Sequence, residues 1–359
     1  MLRSLIFGVL ILGVTAQSNQ ASEVEIIESQ GAKVRFECNT QKLGTSEKKA
    51  KARHAVKLAA ELMENVIAFN SQIKIKLDCI LLCEGKENCR PRYFGEATAS
   101  YSYFFLENEQ FKMYPLALLK QYSEFINMNH TRMSDIDVKI RITLDTEPYF
   151  PSDYPTKISR NQFDFIDTLL HEVVHGLGMQ SKLWLHTIDY EQFTGQLPNF
   201  IVVPPPFDLH VYDTHTNQTV GTSLSNLAPL STPNRRQKFD HLLSAFQGGR
   251  RLYFRSIRGK NITLDPQYVL SHVAPEYSKT LDELMTSFGM VGSSFTDFIF
   301  KFPNWHTSPF GPATLDILAT IGYQLKVPDP YKSLQYYYQY KETHNGEDPP
   351  SLPAYQPSQ

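Results

Sequence analysis

An α+β domain on a mixed sheet is predicted by three features of the sequence. The stretches "IKIKLDCILL" and "IDVKIRITLD" alternate apolar and polar residues, as half-buried strands do. Between Lys48 and Phe69 the apolar residues Ala55, Leu58, Ala59, Leu62 and Val66 recur instead at helical spacing. A second helix, around "LLHEVVHGLGM", carries Phe165, Ile166, Leu169, Leu170, Val173 and Val174 on both flanks, so it is expected to be buried.

From the N-terminus, "MLRSLIFGVLILGVTAQ" has a basic start at Arg3, an apolar run from Leu5 to Val14 and a small residue at Ala16. Residues 1–16 read as a secretory signal peptide, which predicts a secreted, extracellular protein. No later stretch approaches the roughly 20 apolar residues of a spanning helix, so no transmembrane segment is expected. Residues 22–326 form the predicted domain. A formal charge of -2 leaves no nucleic-acid footprint. Asn129, Asn217 and Asn261 each open an N-x-Thr sequon and are glycosylation candidates on the surface.

Four cysteines, Cys38, Cys79, Cys83 and Cys89, lie in the first third of the chain. In an oxidising compartment they predict two disulfides, with three connectivities open. The short "EGKEN" between Cys83 and Cys89 favours a closed turn there, which leaves Cys38 to Cys79. His54, among lysines and an arginine on the first helix, is expected in solvent.

Three prolines in "TEPYFPSDYP" end the sheet region and lead to the second helix. Ser159 or Asn161 is expected to cap it, with Asp164 and Asp167 in its early turns, and Gly176 and Gly178 to end it. Residues 182–270 read as an insertion of loops and short strands, "GKNITL" among the strands. Pro204 to Pro206 within it fit a stiff segment along an extended substrate, or surface-loop packing. After Asp316 a short apolar helix, "LDILATIGYQL", closes the domain. Residues 327–359, rich in Pro, Tyr and Gln, are expected to be partly disordered.

The chemistry lies in His171, Glu172 and His175. Two histidines four apart stand one helical turn from each other, about 6 Å along the axis, so both imidazoles can reach one tetrahedral ion. Glu172 leaves from an adjacent face, where it can take a proton from water instead of ligating. Burying these three groups in so apolar a helix is costly without a partner, and a cation supplies one. A catalytic site needs a third protein ligand and one open position. Gly178 allows the sharp turn after the helix that the long motif H-E-x-x-H-x-x-G-x-x-H requires, but its last position holds Ser181. The third ligand must come from further on, with His186, His210, His215, His241, His272 and His306 or an acidic residue available.

The stretch "LSHVAPEYSKTLDELMTSFGMVG" places His272 thirteen residues before Met285. Together with "HEVVHGLGM" and the closing "ATLDILATIGY", it resembles the leishmanolysin family of metzincin metalloproteases. In that family a long insertion separates the glycine from the third histidine, and a methionine turn follows. The resemblance covers residues 163–181 and 271–324, and departs from the family at Met179, at Val273 and in its few cysteines. It implies a metzincin-like zincin fold: an upper mixed-sheet subdomain with two long helices, a loop-rich lower one, and a cleft between. It also implies one zinc ion on His171, His175 and His272, Glu172 as catalytic base and Met285 as structural floor. The function implied is zinc endopeptidase action on a protein or peptide substrate. The rival is a zinc-binding recognition protein of the same fold without activity. A hydrolase of another bond is a third possibility.

Overall fold

The computed structural model describes residues 24–86, 93–107, 110–122, 135–153, 156–181, 203–227, 252–265, 271–278, 282–286 and 310–327, with single positions between them. The signal segment, Cys89, Asn129, His186, His306 and the tail beyond 327 lie outside the described residues. No described helix is long and apolar enough to cross a membrane.

The fold is mixed α+β, with a five-stranded sheet at its centre. Strands β1 (Glu25–Glu28), β2 (Val34–Asn39), β3 (Ile73–Ile80), β4 (Gly95–Ala99) and β7 (Val138–Thr143) take the spatial order β1-β2-β3-β7-β4. The middle three run parallel, while β1 and β4 close the two edges antiparallel. Helix α1 (Ser46–Val66) connects β2 to its parallel neighbour β3, because a parallel pair needs a long crossover. Thr45 starts α1 by accepting the Lys48 N–H on its side chain. His54 is exposed, as its lysine-rich setting predicts.

The predicted alternation holds. Val34, Phe36, Ile73, Ile75, Leu77, Val138, Ile140 and Ile142 are buried on one face, while Lys74, Lys76 and Lys139 face the other way. Against the buried face lie α1 and α3 (Phe165–Leu177), which also pack on each other. This single apolar layer carries the domain.

Between β4 and β7 the chain forms a hairpin, β5 (Tyr101–Glu107) with β6 (Gln110–Pro115), and the short helix α2 (Leu116–Leu119). Lys120, just after α2, reaches the buried Asp137 at 2.7 Å and so ties this excursion to the sheet. The proline-rich stretch holds more order than the sequence suggests. Strand β8 (Glu147–Tyr149) pairs in parallel with β9 (Gln162–Asp164), which runs straight into α3. The cap of α3 is therefore Asp164, whose carboxylate accepts the Ile166 and Asp167 N–H groups, and neither Ser159 nor Asn161.

Within residues 182–270 lie α4 (Pro206–His210), α5 (Val220–Ser225) and a three-stranded sheet of β10 (Val211–Asp213), β11 (Leu252–Arg255) and β12 (Asn261–Leu264). The two helices were not foreseen. Pro204, Pro205 and Pro206 are buried, and Pro206 opens α4, so they pack inside the fold instead of lining an open edge. The last helix, α6 (Pro312–Ile321), begins three residues before Leu315, where the stretch "LDILATIGYQL" opens. Asn217 and Asn261 are both exposed, as sequon positions must be.

The expected Cys38–Cys79 disulfide is absent: both are buried free thiols. Cys38 faces Leu77 across the β2–β3 pair, so Cys79 is two residues along the neighbouring strand. Strand spacing and rise put such a diagonal at about 8 Å between Cα atoms, outside the roughly 4.4–6.8 Å that a disulfide spans. Burial pushes the Cys79 thiol up to about 12 and that of Cys38 well above its usual range, so both serve as apolar core. Cys83 is disulfide-bonded.

Candidate metal centre

Helix α3 brings the first two histidines together by local geometry alone. His171 and His175 lie one turn apart, with ring centroids 4.6 Å from each other. The helix stops at Leu177 because the next residue, Gly178, takes a φ of +122°. A side chain there would be strained and would also meet Pro115 at 2.9 Å. Gly176 lies inside the helix and does not end it.

His272 arrives from nearly a hundred residues away. The Ser181 N–H donates to the Ser271 hydroxyl at 3.2 Å, so the insertion leaves and returns at one place. The residue before His272 thus lies against the position where the long motif would carry its third histidine. Backbone bonds from the Asp265 N–H to the His272 carbonyl (3.0 Å) and from the Val273 N–H to the Met285 carbonyl (2.9 Å) fix the segment. Met285 is fully buried in a tight turn, Glu283–Met285. The same turn serves α3, because the His171 Nδ1–H donates to the Leu284 carbonyl at 2.6 Å.

The three Nε2 atoms form a triangle with sides of 3.0, 3.2 and 3.2 Å. Four ligands at about 2.0–2.1 Å around zinc place neighbouring nitrogens about 3.3 Å apart, so the triangle has the size of one tetrahedral face. Protonation also fits a cation. The Nδ1 protons of His171 and His175 are used on the Leu284 and Met179 carbonyls, which leaves their Nε2 atoms as bare acceptors facing each other. Burial, with His272 adding to it, pushes the His171 ring down to about 3, and burial and both neighbours hold His175 well below its usual range. Neutral rings whose lone pairs converge repel unless a positive ion lies among them. Among the described residues these three form the only cluster of metal-ligating side chains.

Glu172 is 7 % exposed and stands against the edge strand β4. Burial, followed by the charge of Glu96, pushes its carboxyl up to about 8. Glu96 pairs with Arg141 across β4 and β7. Among the described residues the other candidates do not join the cluster: His210 packs on the Phe254 ring at 5.6 Å, and His215 and His241 are exposed.

Two contributors escaped the sequence reading. Asp282, in the same turn as Met285, accepts the Ala313 and Thr314 N–H groups at 2.8 and 3.1 Å and so caps α6 from outside. The signal available was weak: α6 opens on Gly311 and Pro312, which offer no capping side chain of their own. Gly95, whose bare backbone adjoins Glu172, has no local signature at all. At the far end of α6, the Tyr323 hydroxyl donates to the Leu177 carbonyl at 2.9 Å and locks this helix to the end of α3.

No curated protein and no solved structure matches the chain. A family model described as SPBPB7E8-like matches residues 14–227, a span that holds His171, Glu172, His175 and Gly178 and stops short of His272 and Met285. Since that match covers more than half of the sequence, the chain belongs to the SPBPB7E8-like family.

Proposed function

We propose that this protein is a secreted zinc-dependent endopeptidase of metzincin type, resembling the leishmanolysins, with Glu172 as its general base. The observation that carries the reading is the triangle of ring nitrogens, none more than 3.2 Å from the next, with a buried carboxylate on the same helix. Two further features support it. The Met285 turn holds both His171 and the segment of His272 through backbone bonds. Strand β4, beside Glu172, lies at the edge of the sheet and pairs only with β7 among the described strands. An unpaired edge can accept an extended peptide as an added strand, which favours peptide over small-molecule substrates. Secretion rests on the signal-like residues 1–16 of the sequence.

His171, His175 and His272 would hold the ion, and zinc held there lowers the pKa of a bound water and polarises a carbonyl. The remaining work belongs to the chain. Carbonyls of Leu284 and Met179 fix the tautomer and orientation of two rings through Nδ1. Glu172, screened from bulk solvent, takes a proton from the attacking water and returns it to the leaving amine. No covalent intermediate on the chain is required. Casein hydrolysis by the zinc-loaded protein, with and without chelator, tests the reading. Glu172→Gln is expected to keep zinc and lose about 10²- to 10⁴-fold in kcat. Hydrolysis that survives both chelation and Glu172→Gln would overturn it, and retained zinc with no hydrolysis of any protein would favour the recognition role instead.

A further inference from the structure

The edge strand β4 passes α3 where the Glu172 side chain leaves the helix. A Cβ placed on Gly95 would stand 2.7 Å from Cγ and 2.9 Å from Oε1 of Glu172, and 2.9 Å from the Cγ2 methyl of Thr168. Ordinary contact between such atoms begins at about 3.5 Å, so all three are overlaps. Backbone freedom is not the reason for glycine here, because Gly95 is absent from the residues with positive φ.

Strand β4 is fixed on its other side. Gly95 and Glu96 pair with Ile142 and Arg141, the Phe94 carbonyl accepts the Thr143 N–H at 2.8 Å, and the Phe94 ring stacks on Phe163 at 5.4 Å. A new side chain at 95 therefore acts on what can move, and the movable atoms are those of the Glu172 side chain. Thr168, one helical turn before Glu172, closes the same space from the N-terminal side.

We propose that Gly95 is a positioning residue for Glu172: the bare backbone of β4 and the Thr168 methyl form a slot that holds the glutamate in one rotamer beside the histidine triangle. The inference rests on Glu172 being the base. A change at 95 is then mild for the fold, because the glutamate yields, and severe for proton transfer, because the glutamate has moved.

The test compares wild type, Gly95→Ala, Glu172→Ala and the double variant, full-length and zinc-loaded. Gly95→Ala is expected to keep its zinc stoichiometry and KM for a fluorogenic peptide within about 2-fold, and to lose about 10- to 100-fold in kcat, the scale of a misplacement near 1 Å. Melting curves give a readout that needs no activity. The fall in melting temperature caused by Gly95→Ala should shrink by about half or more when Glu172 is already alanine, since both glutamate overlaps are gone and only that with the Thr168 methyl remains. Unchanged kcat, or an equal fall in both backgrounds, overturns the inference. If Gly95→Ala does not fold, rescue in the Glu172→Ala background supports the slot, and failure in both backgrounds overturns it. Absence of hydrolysis by wild type, with the melting coupling intact, would count against the peptidase reading and leave the slot standing.

Discussion

The two halves of the proposed metal centre are built by different means. His171 and His175 ride on one helix whose hydrogen bonds are local and whose apolar sides are buried against α1 and the sheet. His272 has no helix or strand of its own; its segment is held by backbone bonds to the end of β12, from the Asp265 N–H to the His272 carbonyl and from the Ala274 N–H to the Thr263 carbonyl, and through Val273 to the Met285 turn, with Ser271 bonded to Ser181. Helix propagation makes the first pair cooperative with its own turn. The third ligand depends on contacts whose closure joins distant parts of the chain, and such contacts are the ones that open first. Zinc affinity should therefore be limited by the side that carries His272.

Removing a ligand gives the largest effect and tests that asymmetry. His175→Ala and His272→Ala are each expected to weaken zinc binding by at least about 10²-fold, because two imidazoles cannot close a tetrahedral site. Amide exchange separates the halves. In metal-free protein the Val273 N–H should exchange faster than the amides of residues 169–175, and zinc should slow it the most. Equal protection of both regions without metal would remove the distinction.

A smaller effect belongs to the turn where the helix side ends. Gly178→Ala places a side chain at φ +122° and 2.9 Å from Pro115. The expected cost is about 1–3 kcal/mol of stability, seen as a fall of several degrees in melting temperature. Zinc binding should persist, since both α3 histidines precede the turn. A loss confined to zinc affinity, with melting unchanged, would make Gly178 part of the site and not of the frame.

Legibility from sequence divides along the same line. Strands β3 and β7, helices α1 and α3 and the pair His171–His175 follow local periods of two and 3.6, which residues such as Ile73, Ile75 and Leu77 or Leu169, Leu170 and Val173 display directly. The third ligand carries no periodic signal, and His272 emerged only through a resemblance that included Met285. The β8–β9 pair was hidden because Pro148 and the neighbouring prolines signal breaks, although a two-stranded pair tolerates proline. The disulfide error had a similar origin. Counting cysteines gives no register, and register is what separates Cys38 from Cys79.

The finest test concerns how the His272 side is tied to the last helix. Asp282 is buried next to Asp316 and caps α6, and burial pushes its carboxyl from an ordinary 3.8 up to about 7, against the lowering effect of the two N–H groups it accepts. Between those two values the folded protein keeps a proton that the unfolded chain has released. Stability from this group is therefore fully present below about pH 4 and is lost as pH rises towards 7. Asp282→Asn keeps an oxygen for the Ala313 and Thr314 amides without the charge. Its melting temperature should match wild type near pH 4 and exceed it by a few degrees at pH 8, which flattens the slope between. If the variant is instead less stable at pH 8, the attraction of an ionised Asp282 for the N-terminus of α6 outweighs its burial. The turn that presents Met285 would then be held to the last helix by charge, as the N-terminus of α3 is held by the carboxylate of Asp164.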